Sequence, residues 1–310
     1  MDAGSKAIFY ALSRSGALKR LASTYGMATT DSFARRFIAG ETIEEAVDCG
    51  RKLQAEGMML TLDYLGESVR TMEAATDATR EYVRLMEVIV ASGIERNISL
   101  KVTQLGVDVD RATCVDNLRR ILDPGARHGF FVRIDMEGSP YTEVTLEIFE
   151  TLWQQEYRNV GVALQSYLYR TEKDVRRMNE LGARVRLVKG AYKEPAAVAY
   201  QKKNEVDDSF IRLARLLLDD GHYPAIATHD PRMIAQVRAH ALGRKIASDR
   251  YEFQMLYGIR RDLQRSLLAE GYRMRVYVPF GREWFPYFMR RLGERPANVS
   301  FVLKALLQEK

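Results

Sequence analysis

The chain has 310 residues, of which 46% are hydrophobic, and this length is sufficient for one large core. Its 47 Lys and Arg residues against 41 Asp and Glu residues give a net charge of +6, but the two signs are interspersed. This distribution argues against a basic nucleic-acid-binding arm and is compatible with attraction to acidic surfaces.

The segment before the first predicted strand does not have the pattern of a signal peptide. Residues 1–26 have apolar residues at helical spacing, interrupted by Lys6 and Arg14, and no continuous apolar run precedes a small-residue cleavage site. No apolar run in the chain approaches the ~18 residues of a membrane span. Cys49 and Cys114 belong to no shared motif, which argues against a disulfide framework and for a reducing compartment. We expect a soluble, cytoplasmic protein, with at most peripheral contact with the inner face of the cell membrane.

The rest of the chain predicts one barrel domain. We expect residues 1–50 to form an N-terminal helical segment and residues 51–310 a catalytic domain that includes the C-terminal helix. Eight extended runs, each followed by helical periodicity, start 23 to 39 residues apart. They are MMLTLDYLG from 58, NISLKVTQLG from 97, FFVRIDMEG from 130, VGVALQSYL from 160, RVRLVKGAY from 184, YPAIATHD from 223, YEFQMLYG from 251 and MRVYVPFG from 274. This alternation predicts an α/β fold, a (β/α)8 TIM-type barrel, over a doubly wound sheet, because no G-x-G-x-x-G follows the first strand.

Two of the intervening helices carry end signals. Thr171 with Asp174 predicts a capping box, and Gly182 predicts the end of that helix. Asp230, followed by proline, predicts the start of a later helix that ends near Gly243.

Alternation within the strands predicts a polar lumen. In strand three, Arg133 and Asp135 lie opposite Val132 and Ile134, and the apolar face must pack on the helices. The same count points further residues inward: Asp63, Lys101, Thr103, Glu137, Gln165, Arg184, Arg186, Gln254, Leu256, Arg275 and Tyr277. Strand six is ambiguous. Since barrel interiors are mostly Val, Ile and Leu, this much inward charge predicts an extended polar ligand.

The stretch FPYFMRRLGE, residues 285–294, predicts a helix with two ordered faces. One is apolar and starts at Phe285; the other carries Tyr287, Arg290, Arg291 and Glu294. Two adjacent arginines fit either a solvated helix surface or a clamp for an anion, because two forked guanidiniums bind a carboxylate with fixed geometry.

Several chemistries find no support in the motifs. The four histidines include no His-x-His or His-Glu-x-x-His spacing, so no metal site is expected. Ser166 lacks a Gly-x-Ser-x-Gly elbow, and the chain has no P-loop. Lys189 has three open interpretations: a Schiff-base lysine, a phosphate-binding lysine beside Gly190, or a plain surface lysine.

A set of motifs, in order and at characteristic spacing, resembles one family. SLKVTQLG, RIDMEGS, RLVKGAY, EFQMLYG, YVPFG and the terminal YFMRRLGE are together similar to monofunctional bacterial, FAD-dependent proline dehydrogenases. The resemblance runs from about Met58 to Glu294. It implies a distorted barrel that oxidises L-proline to Δ1-pyrroline-5-carboxylate, the first step of proline catabolism to glutamate. Hydride would pass to FAD, and a quinone would reoxidise the flavin, which implies membrane contact.

The resemblance also implies residue roles. Catalytic residues would be Asp135 and Arg186. Substrate-binding residues would be Lys101, Ala191, Tyr192, Leu256, Tyr277, Tyr287, Arg290 and Arg291. FAD would contact Met136, Gln165, Arg186, Val188, Lys189, Gly190, Ala191, Thr228, His229 and Glu294, the last of which would also orient the arginine clamp. Lys193 stands where many relatives have an aromatic residue. The rival hypotheses are a barrel aldolase or lyase that uses Lys189 as a Schiff base, and a non-catalytic basic protein that binds nucleic acid.

Overall fold

The computed structural model describes residues 33–294, without the side chains of Phe33 and of residues 292–294. Eight parallel strands close into a barrel in chain order, and the first strand pairs with the last. The strands are β1 (Met59–Tyr64), β2 (Asn97–Leu100), β3 (Phe131–Ile134), β4 (Val160–Gln165), β5 (Val185–Val188), β6 (Ala225–Ala227), β7 (Glu252–Leu256) and β8 (Met274–Phe280). The predicted (β/α)8 barrel is confirmed.

Helices follow the strands around the outside of the barrel. They are α1 (Ile43–Ala55), α2 (Met72–Ser92), α3 (Arg111–Arg127), α4 (Thr142–Gln154), α5 (Thr171–Leu181), α6 (Lys203–Asp220), α7 (Pro231–Gly243), α8 (Arg261–Ala269) and α9 (Trp284–Glu294). Short 3-10 helices span Phe33–Arg36 and Ser139–Tyr141. Within residues 33–294, no helix has both the length and the hydropathy to cross a membrane.

The main core lies between the strands and the helices. On α2, Tyr82, Leu85 and Ile89 are buried at helical spacing and pack against outward strand residues such as Leu60 and Leu62. Burying these apolar faces stabilises the ring of strands and leaves the opposite strand face for the lumen.

The strand register confirms the inward polar face. Arg186 on β5 pairs with Ala163 on β4 and with Ala225 on β6, and Ala225 in turn pairs with Glu252 on β7. Since paired residues of neighbouring strands share a face, β6 directs its alanines inward and Ile226 outward, which resolves its ambiguity. Small side chains on β4 and β6 leave space for the guanidinium of Arg186.

The helix ends agree with all but one of the predicted signals. Gly182 ends α5 in the left-handed conformation, and Asp230 caps α7 by accepting a hydrogen bond from Arg232 N at 3.0 Å. The predicted capping box at Thr171 is wrong, because its hydroxyl donates to Gln165 O at 2.5 Å and Asp174 pairs with Arg170. Other partners that are close in sequence therefore replace the predicted cap.

A second apolar cluster joins the N-terminal segment to α9. It consists of Ala34, Phe37, Ile38, Leu65, Trp284, Phe285, Tyr287, Phe288 and Met289. Gly258 lies so close to this segment that a Cβ there would stand 1.7 Å from Arg36 O, so glycine is required. The predicted boundary at residue 50 falls inside α1, and residues 1–32 lie outside the described part of the chain.

Candidate active site

The carboxyl ends of the strands bring the predicted site residues to one mouth of the barrel. Lys101 follows β2, Asp135 follows β3, Gln165 ends β4, and Leu256 ends β7. Residues 189–192 follow β5, and residues 228–229 follow β6. We call Asp63, Lys101, Asp135, Arg186 and Tyr277 the upper lumen. Active sites of such barrels lie at this face, because loops from all eight strands meet there.

Lys101 is held by two carboxylates. Its Nζ donates to Asp63 Oδ1 at 3.0 Å and lies 3.8 Å from Asp135 Oδ2. Burial disfavours the ammonium ion, but Asp63 and Asp135 outweigh that effect and raise the pKa of Lys101. The side chain is therefore a permanent buried cation and a poor candidate for a neutral amine nucleophile.

Arg186 points into the lumen and uses its three nitrogens on partners from β2, from β7 and from the end of β3. Nη1 donates to Asp135 Oδ1 at 2.5 Å, Nη2 to Ser99 Oγ at 3.0 Å, and Nε to Gln254 Oε1 at 2.6 Å. The guanidinium carbon also lies 5.2 Å from the ring centroid of Tyr277. These contacts fix the position and charge of Arg186 before any ligand binds.

Glu137, two residues after Asp135, is a second buried acid at this mouth. Its carboxylate accepts hydrogen bonds from Thr103 N at 3.1 Å and from Thr103 Oγ1 at 2.6 Å. Burial raises the pKa of Glu137 to about 7, although the Thr103 hydrogen bonds oppose the rise. Glu137 therefore changes charge near neutral pH.

The paired arginines of α9 are not on a solvated surface. Arg290 Nη1 donates to Glu67 Oε1 at 3.0 Å, and the Arg291 guanidinium carbon lies 5.1 Å from the ring centroid of Tyr287. The Arg290 side chain is 16% exposed, and Arg291 as a whole is 8% exposed. This burial favours the clamp interpretation over a solvated helix face.

Tyr192, after β5, is affected by charges on α9 and in the lumen. Burial raises the pKa of Tyr192, while the positive charges of Arg290 and Lys101 oppose the rise. A cation after β2 and a cation on α9 thus both act on Tyr192. Such an arrangement suits a small ligand that carries a carboxylate.

Lys189 and Gly190 lie at the rim. Lys189 Nζ donates to Asp207 Oδ1 at 2.7 Å and lies 3.9 Å from Asp230 Oδ2. Gly190 has φ +122°, and a Cβ there would lie 2.5 Å from the Tyr167 ring. The Tyr167 ring therefore requires glycine at this position. These two ion pairs hold the Lys189 side chain at the rim of the barrel.

The remaining predicted cofactor residues lie along the same edge. His229 Nε2 accepts the backbone N–H of Leu256 at 2.9 Å, and Thr228 Oγ1 accepts the N–H of Asp230 at 3.1 Å. Gln165 Nε2 donates to Glu137 O at 2.9 Å. Met136 is buried, Val188 is half-buried, and Ala191 is exposed. Glu294 falls outside the described side chains.

Comparison with known proteins agrees with this geometry. The family model described as proline dehydrogenase matches residues 46–304. Proline dehydrogenase 2 of Bacillus subtilis (strain 168) is 41% identical over 301 residues, which cover 97% of this chain and 98% of that protein. The chain belongs to the proline dehydrogenase family.

Other relatives of this family extend the match. The proline dehydrogenase of Deinococcus radiodurans is 42% identical over 281 residues, covering 89% of this chain and 91% of that protein. The crystal structure of proline utilization A (PutA) from Bdellovibrio bacteriovorus, inactivated by N-propargylglycine, superposes with a TM-score of 0.81 and 28% identity. That superposition covers 95% of this chain and 35% of the much longer PutA chain.

Four site residues of this family member escaped the sequence analysis. Glu67 pairs with Arg290 from the loop after β1, and Ser99 binds Arg186. Glu252 and Glu95 bind Arg275 at the amino-terminal side of the lumen. Of the four, only Ser99 and Glu252 had a usable signal, because alternation within their strands places both on the inward face. Among residues 33–294, no group of three or more His, Cys, Asp or Glu side chains is arranged to hold a metal ion.

Proposed function

We propose that this chain is an FAD-dependent dehydrogenase that oxidises L-proline to Δ1-pyrroline-5-carboxylate. The observation that carries this proposal is the burial of the arginine pair of α9, Arg290 and Arg291, in a barrel whose mouth holds a further buried cation, Lys101. Membership of the proline dehydrogenase family supports the same substrate.

The three cations would bind the carboxylate of proline. Lys101 is fixed by Asp63, and Arg290 is fixed by Glu67. Because these cations are already buried and oriented, little ordering is needed when the substrate binds. The substrate carboxylate would compete with Glu67 for Arg290.

Aromatic and apolar side chains around this region would enclose the five-membered ring. Tyr277 rises from β8, Tyr287 lies on α9, and Leu256 ends β7. Tyr192 and Ala191, after β5, would complete the enclosure. Enclosure fixes the ring carbon that loses hydride and excludes water.

The donor set fits a flavin. Arg186 and Gln165 are buried donors of the kind that the ring carbonyls and a ring nitrogen accept, and Lys189 is a half-exposed cation suited to phosphate. Met136, Val188, Gly190, Thr228 and His229 lie along the same edge. When bound, FAD supplies the hydride acceptor. The fixed guanidinium of Arg186 would stabilise negative charge that develops there, and Asp135 would hold Arg186 in place.

A quinone would receive the electrons, which requires peripheral contact with a membrane. The net charge of +6 supports attraction to an anionic lipid surface. Vesicle flotation with and without anionic lipid tests this contact. Flotation that is independent of lipid charge contradicts it.

The absorption spectrum tests the main proposal. Purified protein should be yellow, and anaerobic addition of L-proline should bleach the flavin band. A colourless protein that takes up no FAD would overturn the proposal.

The Schiff-base alternative has its own test at Lys189. Borohydride with substrate should not inactivate the protein, and Lys189→Met should lower FAD retention. Lys173→Met, which changes a lysine elsewhere on the surface, is the control. Covalent trapping at Lys189 would favour the lyase.

A further inference from the structure

A chain of buried polar contacts runs from Arg186 to the amino-terminal side of the lumen. Gln254 Nε2 donates to Glu252 Oε1 at 2.5 Å, while Gln254 Oε1 accepts from Arg186 at 2.6 Å. Gln254 and Glu252 are on β7, two positions apart, and both face inward. Arg186, Gln254 and Glu252 are each less than 5% exposed. The amide of Gln254 therefore separates a buried cation from a buried anion.

The orientation of that amide is determined by its neighbours. Arg186 can only donate hydrogen bonds, and an ionised Glu252 can only accept them. Reversing the amide would set its NH₂ group against the guanidinium and its oxygen against the carboxylate. Both contacts would be lost in a region without solvent, where an unmade hydrogen bond is costly.

Arg275 keeps Glu252 ionised, so the Glu252 carboxylate can only accept hydrogen bonds. Arg275 Nε donates to Glu252 Oε1 at 2.7 Å and its Nη2 to Glu252 Oε2 at 3.0 Å. Tyr223 adds a third donor at 3.1 Å. Burial opposes ionisation of Glu252, but Arg275 outweighs it and lowers the pKa of Glu252 to about 2. Glu95 balances the remaining charge on Arg275 through a 2.6 Å contact with Nη1.

We propose that Gln254 is a positioning residue for Arg186, oriented by Glu252 and Arg275 so that an uncharged acceptor meets the guanidinium. The inference rests on the proposed function, since Arg186 matters there as a cation facing the cofactor. Within the described part of the chain, Asp135 is the one carboxylate in salt-bridge contact with Arg186. A neutral partner at Nε fixes the side chain without cancelling more of its charge.

The decisive variant exchanges the two β7 side chains. In Glu252→Gln/Gln254→Glu the total charge is unchanged and Arg275 keeps Glu95, but a carboxylate now meets Arg186. We expect the flavin to remain bound and its two-electron midpoint potential to move to a more negative value. The kcat for proline should fall about tenfold or more, while KM stays within about threefold, because the substrate clamp is untouched.

A second variant removes the acceptor without adding charge. Gln254→Met keeps the approximate side-chain volume and leaves Arg186 Nε without its partner, so kcat should again fall with little change in KM. Asn117→Leu is the matched control, because it removes another buried amide, on α3, whose Nδ2 donates to Leu105 O at 3.1 Å. The control should lower stability and leave the potential and kcat unchanged.

The outcomes separate the two proposals. Wild-type protein that binds no flavin or does not oxidise proline overturns the proposed function. Active wild-type protein whose exchange variant has the wild-type potential and kcat overturns the role of Gln254 alone. If the exchange variant does not fold, a wild-type kcat in Gln254→Met would likewise overturn the role of Gln254.

Discussion

The hydroxyl of Tyr277 on β8 donates to Asp135 Oδ2 at 2.7 Å, across the lumen from β3. The same carboxylate binds Arg186 through its other oxygen. Tyr277 therefore orients Asp135, and Asp135 in turn orients Arg186. This relationship ties a predicted substrate contact to a predicted catalytic pair.

Tyr277→Phe should lower kcat for proline about tenfold, because Asp135 loses one of its fixed donors and Arg186 loses alignment. The free energy of unfolding should fall by about 1–3 kcal/mol. Tyr157→Phe is a matched control, since it removes a hydrogen bond of the same 2.7 Å length to Asp123 at the surface. Equal kinetics for Tyr277→Phe and the control would contradict this role.

Arg290→Met and Arg291→Met should each weaken proline binding by about 2–5 kcal/mol, because each removes one desolvated partner of the carboxylate. FAD content should stay near that of the wild type. The KM for proline measures the effect. Arg265→Met, on the exposed face of α8, should leave KM unchanged. A KM that barely moves in the α9 variants would restore the solvated-face interpretation.

Glu137 should make stability depend on pH. Its pKa is about 7 in the folded protein against 4.5 for the ordinary side chain, because burial disfavours its charge. Between these values the folded protein retains a proton that the unfolded chain has released, so the free energy of unfolding falls as pH rises. The total loss is about 3 kcal/mol and levels off above pH ~7.

Glu137→Gln should remove this slope, which urea unfolding at about pH 5, 6 and 8 can measure. Glu147→Gln, at an exposed site on α4, should keep it. An unchanged slope in Glu137→Gln would assign the pH dependence to other groups.

Phe37→Ala tests the support that the N-terminal segment gives to α9. The Phe37 ring is buried, and its centroid lies 6.2 Å from that of Phe288. The variant should lose about 3–5 kcal/mol of stability and raise the KM for proline about tenfold, because α9, which carries Arg290 and Arg291, loses the ring on which it packs. Phe149→Ala, at a buried position on α4, should lose similar stability with an unchanged KM.

Local signals in the sequence predicted most of the fold. Strand length, alternation and regular spacing predicted eight strands with polar inward faces on all but the ambiguous strand six, because barrel closure leaves only one side of each strand for the helices. Gly182 and Asp230 were correct helix signals, since a left-handed residue and an N-terminal acceptor act within one turn. Thr171 failed because its hydroxyl found a partner at the end of β4.

The candidate site was predictable only in part. Lys101, Asp135 and Arg186 stand at strand ends or on inward faces, so their convergence follows from the barrel. Glu67 lies in a loop with no periodicity, and nothing in the local sequence pairs it with Arg290, 223 residues later in the chain. The support of α9 by residues 34–38 likewise depends on loop geometry.

The sequence by itself determined the barrel, the polar side of each strand and the arginine pair on the last helix, because periodicity and motif order are local properties of the chain. Only the tertiary structure decided which charges meet. It buried Arg290 and Arg291, placed Gln254 between Arg186 and Glu252, and fixed the charge state of Glu252 through Arg275. Burial and distance set the strength of ionic contacts, and both arise only when remote segments pack together.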